Sequence, residues 1–183
     1  YQQLESELSP LLSAHSDYIN MNEALFKRVK AVYDQQASLN LNTEQKRLLD
    51  KTYKGFVRGG ALLDKAQKQR LSEINLQLAK LQLQFTQNLM HDTNQSYVTV
   101  DNISDLEGLS EGDIQKAAAL AERTGAKGKY RFNMQRPSCN PVLQYAKNRE
   151  LRRQVYEMYN NRCNHNDQYD NKAISRAGMD WGA

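Results

Sequence analysis

DKAQKQRLSEINLQLAKLQLQFTQNLMH, residues 64–91, sets the reading of the whole chain. Leu71, Ile74, Leu78, Leu81, Phe85 and Leu89 recur at spacings of three and four, which places them on one stripe of a helix. Leu76, Leu83 and Met90 form a second stripe with a strict seven-residue repeat. At 3.6 residues per turn it lies roughly 160° from the first. A helix apolar on two sides needs a neighbour on each side. It is expected to be an interior member of a layered helical array, or to lack one of its partners within this chain.

Working outward, the upstream segments also read as helices. Leu4 to Ser13 forms a first one, and Asn20 with Glu23 three residues on is the expected start of a second through Leu25, Val29 and Val32. Asn42 with Gln45 repeats that start signal ahead of Leu48, Leu49, Tyr53, Phe56 and Val57, and Gly59-Gly60 stops the helix. Downstream, the helical period breaks after Thr93. Ser96 to Val100 has strand composition, and Lys129 to Met134 alternates polar and apolar, so the two are expected to pair as a small antiparallel ribbon. Between them, Ser110 with Asp113 caps a helix through Ile114, Ala118 and Ala121, which Gly125 ends. Arg136-Pro137-Ser138 returns the chain to helix, and Asn148 caps a final one carrying Leu151, Val155, Met158 and Tyr159.

The fold class is therefore mostly α: a multi-helix lobe with one long central helix and a small antiparallel β insert at about 96–134. Residues 1–183 read as a single lobe, without internal repeat or Pro/Gly linker. Only 3 prolines among 183 residues fit this, and a mean hydropathy of -0.81 marks a strongly polar surface. The longest apolar runs are a handful of residues, too short for a membrane span or a secretory leader. Two cysteines, Cys139 and Cys163, make no disulfide framework and suit a cytoplasmic protein, with a periplasmic one as the alternative. The net charge of +4 is concentrated between Glu44 and Lys80, where nine Lys/Arg face four Asp/Glu. With only Tyr53 and Phe56 interleaved, a solvated helix face explains that patch better than a nucleic-acid surface.

The chemical inventory is thin. His15, His91 and His165 lie too far apart for a His-Glu-x-x-His pair. Cys163 and His165 with Asp167 and Asp170 come closest to a metal cluster, but the spacing matches no standard zinc site and reads as an Asn- and Asp-rich loop. Glu107 and Glu111 read as a solvated carboxylate pair, and the late tyrosines 145, 156, 159 and 169 as core packing. No catalytic, cofactor-binding or metal-ligating residue is assigned.

Several strings in order carry more. MNEALFKRVKAVYD (21–34), LNTEQKRLLDKTYKGFVRGGALLDKAQKQRLSEINLQLAKLQLQFTQNL (41–89), DLEGLSEGDI (105–114), GKYRFNMQRPSCNPVLQYAKNRELRRQVYEMYNNR (128–162) and YDNKAI (169–174) follow one another. Together they resemble the N-terminal portion of bacterial peptidyl-dipeptidases (dipeptidyl carboxypeptidases) and oligopeptidases A, in the thimet-oligopeptidase family of zinc metallopeptidases. The resemblance runs from about Leu8 to Ile174.

It implies a mostly helical, two-lobed hydrolase around a deep channel, with one zinc ion held by a His-Glu-x-x-His helix and a more distant Glu. That helix lies far downstream of these strings, so no metal or catalytic role transfers to any residue here. The implied reading is a non-catalytic N-terminal lobe that walls the channel of a protease acting on short peptides. Its implied partner is the missing C-terminal catalytic lobe. Zinc belongs to the parent enzyme, and none is expected in this chain, which is expected to be inactive alone. The alternative is a stand-alone helical module that binds peptides or a partner helix without catalysis; a basic nucleic-acid-binding domain rests on charge alone. The pattern departs after Ile174: the family continues with a long helix, whereas Gly178 and Gly182 make the tail 175–183 a poor one.

Overall fold

The computed structural model describes residues 2–180. It contains α1 (Gln2–Asn20), α2 (Glu23–Asp34), α3 (Thr43–Arg58), α4 (Lys65–Gln95), β1 (Tyr97–Val100), α5 (Glu111–Arg123), β2 (Tyr130–Asn133), α6 (Arg136–Tyr145), α7 (Arg149–Asn160) and α8 (Lys172–Asp180), with a short 3-10 turn at Ile103–Leu106. The chain is mostly α with one long helix and a two-stranded antiparallel sheet, as expected. It divides into two compact units, the first reaching Gln84 and the second running from Phe85 to Met179, so the boundary falls inside α4.

In the first unit, local chemistry sets the helix ends. Asn42 and Gln45 form a reciprocal capping box: Asn42 Oδ1 accepts from Gln45 N at 2.9 Å, and Gln45 Oε1 from Asn42 N at 3.0 Å. The α2 start differs from the sequence reading. Asn22, not Asn20, is the cap, its Oδ1 accepting from Leu25 N at 2.9 Å. The first helix runs on from the expected Ser13 to Asn20, helped by the 2.7 Å bond from Asn75 Nδ2 to Asp17 Oδ1. The tie comes from 58 residues away, beyond any local signal. An aromatic cluster joins α2 to α3: Phe26 packs on Tyr53 and Phe56, and Tyr33 stacks on Tyr53 at 3.9 Å. Phe26 and Ala61 are the buried hydrophobics of this unit among the described residues. Between α3 and α4, Gly60 turns with φ +93°, where a Cβ would stand 2.7 Å from the Leu71 side chain.

The second unit holds the larger core. β1 and β2 pair with Val98 opposite Phe132 and Val100 opposite Tyr130. Val98, Val100 and Phe132 join Leu106, Ala117, Cys139, Val142, Ala146, Leu151 and Val155 in one cluster. Leu106, Val142 and Val155 are fully enclosed. Ser110 caps α5, and Asn148 caps α7 by accepting from Glu150 N and Leu151 N. α7 is not the final helix. α8 follows and passes through Gly178, correcting the expectation for 175–180; Gly182 lies outside the described residues. One interior Gly costs a helix only about 1 kcal/mol relative to Ala. Here Asp170 Oδ1 accepts from Lys172 N at 2.8 Å and satisfies the first of the helix's unpaired amides.

The two stripes of α4 are half-covered rather than enclosed. Its buried residues are polar, Asn88 and Asp92, while Phe85 and Met90 keep 38% and 48% of their surface exposed.

Candidate functional site

Asp92 and Asn88 bring distant polar residues of the second unit together. One turn apart on α4, they occupy core-facing helical positions after Leu81 and Phe85. Asp92 Oδ2 accepts from the Cys163 amide at 2.6 Å and from His165 Nε2 at 3.0 Å, while Oδ1 accepts from Ser96 Oγ at 2.6 Å. An ionised carboxylate only accepts, so His165 carries its proton on Nε2. Burial raises the Asp92 carboxyl, but the hydrogen bonds from Ser96, the Cys163 amide and His165 outweigh it and hold the group below the usual carboxylate range. Asn88 Nδ2 donates to Asn171 Oδ1 at 2.9 Å, and Asn171 Nδ2 donates to Phe85 O at 3.1 Å.

These bonds clamp a tight loop. Cys163 and Asn166 adopt φ of 53° and 56°, and Asn171 N returns to Cys163 O at 2.9 Å. Asp170 closes the turn by accepting from Asn166 N and Lys172 N, and Asp167 accepts from Tyr169 N. The carboxylates of Asp167 and Asp170 thus serve their own loop instead of converging with Cys163 and His165. Among the described residues, no group of three or more His, Cys, Asp and Glu is placed to hold a metal ion. His91 stacks on Tyr169 at 3.6 Å.

Both thiols are free and buried. Burial pushes each one up, and the Asp92 charge adds to the rise at Cys163. Neither has the electropositive, accessible setting of a nucleophile. The Tyr159 hydroxyl moves the other way, lowered by Arg162 and then Arg136, with the Arg162 guanidinium 4.6 Å from its ring centre. Tyr159 packs against the core as expected and Tyr169 stacks on His91, but Tyr145 and Tyr156 are 62% and 59% exposed, so the late tyrosines are not a shared core. Glu107 pairs with Lys147 at 2.5 Å, and Glu111 accepts from Gln115.

In the first unit, a cleft of about 750 Å³ lies beside α1 and α4. The charged residues lining it, Asp17, Glu23 and Glu73, are all acidic, although the neighbouring sequence is basic. The basic excess is spent on solvated helix faces, as the i,i+4 pair Lys54–Asp50 and the i,i+3 pair Arg70–Glu73 show. The sequence reading passed over Asp92 because it follows the last stripe residue. Its signal was a polar residue repeating the core-facing spacing 81, 85, 88, 92.

No protein-family model matches the chain. The dipeptidyl carboxypeptidase of Salmonella typhimurium is 33% identical over 173 residues, covering 94% of this chain and 25% of that protein. The oligopeptidase A of Haemophilus influenzae is 32% identical over 154 residues, covering 84% of this chain and 22% of that protein. The dipeptidyl carboxypeptidase of Escherichia coli is 32% identical over 94% of this chain and 25% of its own length. The chain thus spans about a quarter of the length of the curated relatives it matches. By these matches it is a homologue, over that quarter, of the bacterial dipeptidyl carboxypeptidases and oligopeptidases A.

Proposed function

We propose that this chain is the N-terminal, non-catalytic lobe of a cytoplasmic zinc peptidase that hydrolyses short peptides, and that its helices wall the substrate channel. The observation that carries the reading is the lopsided match: nearly all of this chain, but only a quarter of each relative, is covered. Zinc would polarise the scissile carbonyl and activate water in the parent enzyme. The residues here do not fit that ion. His165 spends its Nε2 proton on Asp92, and no second histidine joins it among the described residues. In this reading the metal and its general base belong to the C-terminal lobe, the partner of this one.

The α1 surface supports a missing partner. Leu4, Leu8, Leu11 and Leu12 keep 45–66% of their surface exposed on a helix with no buried residue. Two free thiols, Cys139 and Cys163, suit a reducing compartment. In the described residues, no helix is long and apolar enough to cross a membrane.

The decisive experiment is to sequence the encoding gene beyond codon 183. An open frame running into a His-Glu-x-x-His segment is expected. A stop at that point would replace this reading with a stand-alone peptide- or partner-binding module. For the chain itself, no stoichiometric zinc and no peptide hydrolysis are expected. Metal in the purified protein together with chelator-sensitive dipeptide release would overturn that.

A further inference from the structure

We infer that the hollow between the end of α4 and the start of α8 binds a small apolar monocarboxylate, one carboxylate carrying a hydrocarbon group. This does not depend on the peptidase reading. The hollow holds about 440 Å³, a volume typical of small-ligand sites, and lies wholly within the second unit. Its floor is apolar. Phe85 and Leu89 stand one turn apart on α4, and Phe85 keeps 38% of its surface exposed. Its rim is cationic. Lys172 and Arg176 stand one turn apart on α8, and Arg162 enters from the loop after α7. Among the described residues, no Asp or Glu lines it.

The walls are fixed by bonds that a ligand does not have to break. Asn171, only 5% exposed, donates from Nδ2 to Phe85 O at 3.1 Å and accepts at Oδ1 from Asn88 at 2.9 Å. Its amide bonds Cys163 O at 2.9 Å, so the start of α8, the 162–164 loop and α4 are tied together at one residue. A site held in this way loses little further freedom when a ligand arrives. The neighbouring acids are engaged elsewhere. Asp92 accepts from the Cys163 amide and His165, and Asp170 from the amides of Asn166 and Lys172.

The rim keeps donors to spare. Lys172 Nζ donates to Asn166 Oδ1 at 2.7 Å and pairs with Asp170 at 3.2 Å, and an ammonium has a third N–H. The Arg162 guanidinium lies 4.6 Å from the Tyr159 ring centre, and that contact leaves most of its N–H fork unspent. No carboxylate among the described residues pairs with Arg162 or Arg176. The rim therefore selects an anion, and the floor selects what the anion carries. Inorganic phosphate would satisfy the cations and leave Phe85 and Leu89 wet, whereas a neutral hydrocarbon would do the reverse. A carboxylate beside an apolar group meets both, as in the last residue of a peptide ending in Leu or in a short fatty acid.

The test titrates the full 183-residue chain with acetyl-leucine, hexanoate, acetyl-leucinamide and inorganic phosphate, followed by amide NMR. Acetyl-leucine is expected to shift the amides of Phe85, Leu89 and Lys172 to Arg176. Acetyl-leucinamide has the same shape without the charge and should bind about tenfold more weakly or worse. Phosphate should fall behind by a similar factor, because it leaves the floor uncovered. Hexanoate separates the two sources of this chemistry: binding equal to acetyl-leucine points to a fatty acid, and weaker binding to a peptide end. Arg176→Gln, at an exposed position, should weaken acetyl-leucine about two- to fivefold, and Arg176→Glu further, with the thermal midpoint unmoved. No shifts at millimolar acetyl-leucine, shifts confined to other elements, or equal binding of the amide or of phosphate would overturn the inference. So would unchanged affinity in both Arg176 variants.

Discussion

Replacing Asp92 with Ala should be among the most damaging single changes in the second unit. The substitution strands three donors. The Cys163 amide is the costliest, because Cys163 is 4% exposed and a buried orphaned N–H costs about 1–3 kcal/mol. Ser96 Oγ–H, part-buried, adds about 1 kcal/mol for a bond to a charged acceptor that solvent replaces incompletely. His165 is 38% exposed, so its loss contributes no more than about 1 kcal/mol. The sum, about 2–5 kcal/mol, overlaps the range of about 3–5 kcal/mol for breaking a buried charged contact by removing one side.

Asp92→Asn keeps a carbonyl for the Cys163 amide but turns an NH2 toward one of the other donors, so a loss of about 1–2 kcal/mol is expected. Urea unfolding followed by circular dichroism gives the stability difference, and hydrogen exchange at the Cys163 amide reports the local contact. If Asp92→Ala unfolds within about 0.5 kcal/mol of the parent and the Cys163 amide exchanges no faster, the clamp argument fails. The pH dependence separates charge from shape. The folded carboxyl lies below its unfolded value of 3.8, so its contribution is complete above that value and is lost as pH falls through the folded one. Acid destabilisation should be steeper in the parent than in Asp92→Asn.

Three further outcomes follow from single residues. Gly108→Ala places a Cβ 2.1 Å from Tyr145 O at φ +99° and should cost more than about 2 kcal/mol, read as a lowered thermal midpoint. Cys139 and Cys163, both buried and raised, should react with a disulfide thiol reagent only on the unfolding timescale, whereas rapid labelling of the native chain would contradict their enclosure. Asn42→Ala removes half of a reciprocal cap on exposed α3 and should cost about 1 kcal/mol, against about 2–5 kcal/mol for Leu106→Ala in the enclosed core; paired urea melts compare them.

What the sequence revealed was mainly what is local. The Asn42–Gln45, Ser110–Asp113 and Asn148 caps involve partners within three residues, and each is where the pattern placed it. The strand pair was legible because Ser96 to Val100 has strand composition and Lys129 to Met134 alternates polar and apolar. Asn20 was read for Asn22 because either Asn can start a helix, and the choice depends on where α1 stops, which its contact with α4 helps decide. The Asp92 clamp was hidden for the same reason. Its partners sit 71 and 73 residues downstream, and a carboxylate at a helix end looks like solvent-facing punctuation until the distant loop is in place. In the described part of the tail the misjudged residue was Gly178, which α8 passes through with Asp170 bonding its first amide.

That clamp also carries a consequence for biosynthesis. Asn88 and Asp92 are made early, yet apart from Ser96 their partners arrive only with residues 163–171. Until then the second unit holds two polar groups at core-facing positions with only Ser96 to bond one of them, and its closing contacts are among the longest loops it must form. On the ribosome the α2–α3 pair, built from near neighbours, can settle while the second unit waits for its final turn. A nascent chain arrested between residues 100 and 160 should therefore stay open to proteases in that unit, and protection should set in abruptly once the Cys163–Asn171 loop clears the exit tunnel.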